Sequence, residues 1–151
     1  MPTNAIPTGF HAVTPNLAVD GGPAAIAFYE RAFGAEVLRR LDAGDKVMYA
    51  ELRIGDSVIT LNDALPQFDS RAPDPDVPVS VSLTIYCEDA DALYAQAVAA
   101  GATSVGEPSD AFFGDRVATV RDPFGHKWAI ATHLRDMTSA ELEQAMQEAF
   151  A

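Results

Sequence analysis

Arg121-Asp122-Pro123-Phe124-Gly125-His126-Lys127-Trp128-Ala129-Ile130-Ala131-Thr132-His133 decides how this chain folds. Asp122-Pro123-Phe124-Gly125 reads as a tight turn: Pro fixes φ, Asp can bond its own backbone and Gly accepts positive φ. Val117–Arg121 before it has strand composition. After it, Trp128, Ile130 and Thr132 alternate with Ala129, Ala131 and His133. A period of two means that the turn joins two antiparallel strands. One face of the second strand is bulky. The other is small and ends in a histidine, which leaves room for something beside it.

Outward from that hairpin, the same plan occurs twice. In the first half, a strand over Ala12 to Val19 leads through Asp20-Gly21-Gly22 into a helix. Pro23 suits its first turn, where the missing N–H costs nothing, and Gly34 stops it. Ile26, Tyr29 and Phe33 recur at helical spacing and form the buried stripe. Strands follow at about 35–42, 46–53 and 57–62. In the second half, Ser80–Cys87 is a strand. Asp89 caps a helix that runs to about Ala100, and Gly101 ends it. Strands follow near 103–107, 113–121 and 126–133. The fold class is therefore α+β: two βαβββ modules, about 12–62 and 80–134, within a single domain spanning 1–151. Residues 63–79 hold Pro66, Pro73, Pro75 and Pro78 and read as a linker, because proline at that density blocks helix and ladder alike. Residues 1–10 read as a loose arm. A C-terminal helix over about 138–150 opens with the capping box Thr138-x-x-Glu141 and carries Leu142, Met146 and Phe150 four residues apart.

Composition narrows the function. The chain has 151 residues, 48% of them hydrophobic, and a net charge of −12. That surface repels nucleic acid and anionic membranes, so neither is an expected partner. No apolar run reaches the ~20 residues that cross a bilayer, and the first residues lack the pattern of a secretory signal. The single cysteine, Cys87, excludes an intrachain disulfide, favours the cytoplasm and reads as a small buried hydrophobe.

Two strings carry a resemblance. Phe28-Tyr29-Glu30-Arg31-Ala32-Phe33-Gly34-Ala35-Glu36 and Asp122-Pro123-Phe124-Gly125-His126-Lys127-Trp128, in this order and strand context, resemble the vicinal oxygen chelate superfamily, in its PhnB-like branch. That superfamily includes glyoxalase I, extradiol dioxygenases and bleomycin-resistance proteins. The resemblance implies that each module curls into a half-barrel, that the half-barrels enclose a central cup, and that metal-using members draw ligands from the first and last strand of each. Those positions here are Thr14, Thr60, Ser82 and Ala129. A transition metal wants imidazole, carboxylate or thiolate, so no metal and no cofactor is expected.

Strand alternation assigns the faces. Leu17, Val19, Ile59, Leu61, Leu83, Ile85, Trp128 and Ile130 should pack under the helices. Thr14, Asn16, Thr60, Asn62, Ser82, Thr84, Tyr86 and His133 should line the cup as ligand-binding residues. Phe112 and Phe113 could close over its mouth, with Arg116 beside them. Such a cup suits a mostly apolar small molecule held by a few polar contacts. The plainer alternative is a water-filled cup whose polar groups satisfy one another.

Metal-independent binding and sequestration of a small molecule is the expected function, as in the bleomycin-resistance members. The alternative is a lyase or isomerase with His133 or Glu51 as acid/base and Tyr86 or Arg116 as helper. A metal-dependent glyoxalase-like enzyme is disfavoured by the residues at the ligand positions, and a purely structural interaction domain is the blandest reading. The stripe on the C-terminal helix and the paired half-barrels point to a homodimer.

Overall fold

A computed structural model describes residues 3–151; Met1 and Pro2, part of the arm expected over 1–10, lie outside the described residues. The chain divides into two compact units, one ending at Pro78 and one starting at Val79. Residues 3–15 hold only turns and bends.

The first unit runs β1 (Asn16–Val19), α1 (Gly22–Phe33), β2 (Glu36–Ala43), β3 (Lys46–Ile54) and β4 (Ser57–Asp63). Its sheet has the order β1-β4-β3-β2. β1 pairs with β4 in parallel and the other neighbours are antiparallel. The second unit repeats the plan: β5 (Ser82–Tyr86), α2 (Ala90–Ala100), β6 (Thr103–Asp110), β7 (Asp115–Arg121) and β8 (Lys127–His133), followed by α3 (Ser139–Ala149). Its sheet order is β5-β8-β7-β6, again with one parallel pair, β5 with β8. Two βαβββ modules and a C-terminal helix make the α+β fold that the sequence predicts.

α1 forms where an apolar stripe meets good end signals. Pro23 sits in its first turn, and the Gly34 and Ala35 amides bond back to Glu30 and Tyr29. The helix packs on β3 and β4. Ile26, Phe28, Tyr29 and Phe33 are buried on that side, with Leu17, Val19, Leu52 and Leu61 buried in the sheet. The Phe28 and Tyr29 rings meet edge to face at 5.4 Å, and Tyr29 stacks on Phe33 at 6.1 Å. Each such ring contributes roughly 1.5–3 kcal/mol by leaving water. In the second unit α2 packs on β6, β7 and β8, over Ala118, Val120, Trp128 and Ile130.

Each unit ties the start of its helix to the end of its last strand. Asp63 closes β4, and its Oδ1 accepts the Gly21 and Gly22 amides at 2.9 Å each while Oδ2 accepts Val47 N at 2.7 Å. In the second unit Thr132 does the same job, its Oγ1 accepting Ala90 N at 2.9 Å. Asp63 thus belongs to β4, although its sequence position beside the prolines suggests the linker. Residues 64–81 hold the short 3-10 turn Pro66–Phe68 and further isolated turns and bends, with no strand or longer helix. The Asp122 turn is held as its composition suggests, with Oδ1 accepting Phe124 N at 2.9 Å and His126 N at 3.0 Å. Its Oδ2 also accepts the Trp128 indole at 2.9 Å, which pins the bulky face of β8.

Three expectations change. β1 starts at Asn16 and not at Ala12: Pro15 has no N–H to give to a ladder, and Thr14 before it donates its hydroxyl to His11 O at 3.0 Å. Thr14 therefore lies off the strand. β6 extends to Asp110 through Pro108, tolerated because β6 is an edge strand. Cys87 is half-buried, one residue beyond β5.

Candidate functional site

The β7–β8 hairpin fixes which side chains share a face. Arg121 pairs with Lys127, so six residues back Asp115 pairs with His133, and Val117 and Thr119 pair with Ala131 and Ala129. On the other side of β8, Tyr86 pairs with Ala131 and Thr84 with Ala129. Tyr86, Asp115 and His133 therefore point to the side away from α2, around the two alanines.

Asp115 is the centre of this group. Its side chain is only 6% exposed, whereas that of His133 is 52% exposed. Tyr86 is 63% exposed, yet its hydroxyl donates to Asp115 Oδ2 at 3.0 Å. His133 Nδ1 lies 2.6 Å from Asp115 Oδ1, and its Nε2 lies 2.7 Å from Asp136 Oδ1. A neutral imidazole has one N–H and leaves one carboxylate facing a lone pair; the imidazolium donates to both. The hydrogen bond to Asp136, then that to Asp115, raise the His133 pKa above 6.5. The bond to Asp115 likewise raises the Tyr86 phenol. Gly114 sets the entry to β7. Its φ is 92°, and a Cβ there would lie 2.6 Å from the Arg135 carbonyl. Its own carbonyl accepts the Leu134 and Arg135 amides, carrying the strand pairing past His133. A shallow groove beside this cluster is lined by Tyr86, Cys87, Glu88, Thr132 and His133.

The matching face of the first unit satisfies itself. Thr60 donates to Asn16 Oδ1 at 2.7 Å, Asn16 Nδ2 donates to Asn62 Oδ1 at 2.9 Å, and Asn62 Nδ2 reaches the Asp63 carbonyl and Ser70. Glu51, opposite Thr60, accepts the Tyr49 hydroxyl at 3.0 Å and lies 3.8 Å from Arg39. Burial, then the bond to Glu51, raise the Tyr49 phenol. These residues share a face as the alternation predicts, but they already hydrogen-bond to one another.

The other expected site residues are placed as follows. Ser82 and Thr84 are exposed on β5. Arg116 pairs in register with Thr132 and so faces α2, where Asp91 holds it at 2.8 and 3.1 Å and Asp110 at 3.0 Å. It is on the opposite side of the sheet from Tyr86, because adjacent strand residues alternate. Phe112 meets Phe113 at 5.3 Å and Phe150, just past the end of α3, at 5.8 Å. Asp115 and Asp136 join the site only through the structure. The signal for Asp115 was present: the 122–125 turn fixes a register that brings it opposite His133.

The metal positions implied by the resemblance do not fit a metal. The Thr14 hydroxyl bonds a carbonyl, the Thr60 hydroxyl bonds Asn16, and Ala129 has no donor. Among the described residues, no three His, Cys, Asp or Glu side chains gather as a metal-holding group.

Residues 9–130 match the family described as Glyoxalase/Bleomycin resistance protein/Dioxygenase superfamily. An uncharacterized protein of Mycobacterium bovis is 39% identical over 141 residues, covering 89% of this chain and 91% of that protein. One of Mycobacterium tuberculosis is 39% identical, covering 89% of this chain and 82% of its own length. Among solved structures, an Arabidopsis thaliana gene product is 28% identical with a TM-score of 0.65, covering 81% of this chain and 98% of that one. TioX from Micromonospora shares the fold at 24% identity and a TM-score of 0.64, covering 82% and 99%. No helix among the described residues is long and apolar enough to cross a membrane.

Proposed function

Since this chain belongs to the Glyoxalase/Bleomycin resistance protein/Dioxygenase superfamily, we propose that it is a metal-independent small-molecule-binding member whose ligand lies against Tyr86, Asp115 and His133. The observation that carries this reading is Tyr86: the residue is 63% exposed, yet its hydroxyl is tethered to a buried carboxylate. An exposed aromatic ring is a binding surface, and a tethered one loses little freedom when a ligand stacks on it. Ser82 and Thr84 on the same strand face add exposed hydroxyls.

The competing reading is a lyase or isomerase with His133 or Glu51 as general base. In this structure Nε2 of His133 faces Asp136, so the ring could act as a base only after that exposed contact opens. Glu51 is tied to Tyr49. Binding and sequestration need neither residue to exchange a proton.

The test is a thermal-shift screen of small aromatic compounds, followed by titration of any hit. Tyr86→Ala should abolish the shift, whereas His133→Ala and Glu51→Gln should alter it modestly. Turnover of a hit that falls about 10²–10⁴-fold in His133→Ala would favour the enzyme instead.

The chain further acts as a homodimer in this reading, supported by the exposure of Met146 and Phe150 on one stripe of α3. Light scattering at micromolar concentration should give twice the chain mass; a monomer would contradict it. A cytoplasmic setting fits the single free cysteine.

A further inference from the structure

His133 is held from two sides that differ in kind. Behind it, the Asp115 carboxylate is buried and fixed by Tyr86. In front, the Asp136 side chain is 102% exposed, and its Oδ1 rests 2.7 Å from Nε2. Asp136 lies in the short segment between β8 and the Thr138 cap of α3. A fully exposed carboxylate gives up such a contact at small cost, because water replaces it. A carboxylate from solution can take the same place. The displaced Asp136 keeps its charge in solvent, and the incoming carboxylate keeps His133 Nε2 paired.

We propose that His133 Nε2 is the anchor for a carboxylate-bearing ligand, and that Asp136 fills this anchor as an internal stand-in until the ligand arrives. This rests on the reading that the Tyr86 face binds a ligand. The groove at His133 contains Tyr86, whose exposed ring accepts a planar or apolar body. Glu88 lines the same groove, and the chain carries a net charge of −12. Both repel anions in proportion to their charge, which leaves room for a single carboxylate paired with His133 and not for a multiply charged ligand. The ligand class is therefore a small monocarboxylate with an aromatic or flat apolar body.

The test uses benzoate and its neutral isostere benzamide at constant ionic strength, followed through the ring ¹⁵N signals of His133. Asp136→Ala should bind benzoate about two- to fivefold more tightly than the native chain, the worth of one exposed ion-pair contact freed from competition. It should prefer benzoate to benzamide by a similar factor, and His133→Gln should erase that preference. Equal benzoate affinity in the native chain and Asp136→Ala would overturn the stand-in. Equal affinity for the two probes would overturn the carboxylate anchor, while the ligand face itself would survive if Tyr86→Ala lost both. If neither probe moves a Tyr86 or His133 signal up to its solubility limit, the anchor and the ligand face both fall.

Discussion

His133 Nδ1 stands 2.6 Å from Oδ1 of Asp115, a residue that shares its cross-strand position at the mouth of the β7–β8 hairpin. The pairing is a consequence of register: a one-residue slip would turn one of the two side chains to the α2 side. The same carboxylate receives the Tyr86 hydroxyl from β5. One buried acid thus orients an aromatic ring and an imidazole that both reach solvent.

The Tyr86 phenol should titrate above its ordinary value of 10, because its proton is shared with an anion. A raised folded value means that the bond supports folding below about pH 10 and that this support is lost as pH rises through the folded value. Comparison of phenolate absorbance in the native chain and Tyr86→Phe isolates this group. Asp115→Asn should bring the titration down; an unchanged titration would mean that Asp115 does not hold the phenol.

Arg116→Ala should leave ligand binding unchanged, since Arg116 is clamped by Asp91 and Asp110 on the α2 side. A loss of binding comparable to that of Tyr86→Ala would show that the strand faces are misassigned.

Asp63→Ala should cost about 2–3 kcal/mol, measured by urea unfolding, because three backbone amides lose their acceptor where water does not reach. Burial pushes the Asp63 carboxyl up, but the bonds from Val47, Gly22 and Gly21 outweigh it and its pKa falls below 3.8. The folded state therefore binds this proton less readily than the unfolded chain. Its stabilisation is complete above the ordinary carboxylate range and is lost as pH falls through the lowered value. The acid limb of unfolding should flatten in the variant.

Gly22→Ala tests the same junction from the other side. Alanine favours helix by about 1 kcal/mol over glycine in a helix interior. Here its Cβ would lie 2.6 Å from Asp63 Oδ2 and 2.7 Å from Val47 Cβ. Overpacking should win, with a net loss of about 1–3 kcal/mol. A stabilised variant would mean that the junction is looser than these distances require.

The modules were legible because their signals are local. Period-two alternation in β4 and β8, the α1 stripe, and the Asp122–Gly125 turn each specify one element without help from the rest. The placement of Thr14 was not, because alternation continues by chance across Pro15 while the ladder cannot. Arg116 is hard to place from sequence because it adjoins the Phe112–Gly114 loop, and only its pairing with Thr132 turns it toward α2. Asp115 is hidden for the same reason: it sits beside a turn glycine, and only the register counted back from Arg121–Lys127 opposes it to His133. Asp63 looks like linker by composition and becomes structural only through amides 16 to 42 residues away.

The protonation of His133 is the most direct test of the account. Long-range ¹H–¹⁵N correlation across a pH series should find the His133 titration above 6.5 and lower in Asp136→Ala. A titration at or below 6.5, unmoved by loss of Asp136, would contradict it: the two carboxylates would then not hold the imidazolium, and His133 would not be the anchor described above.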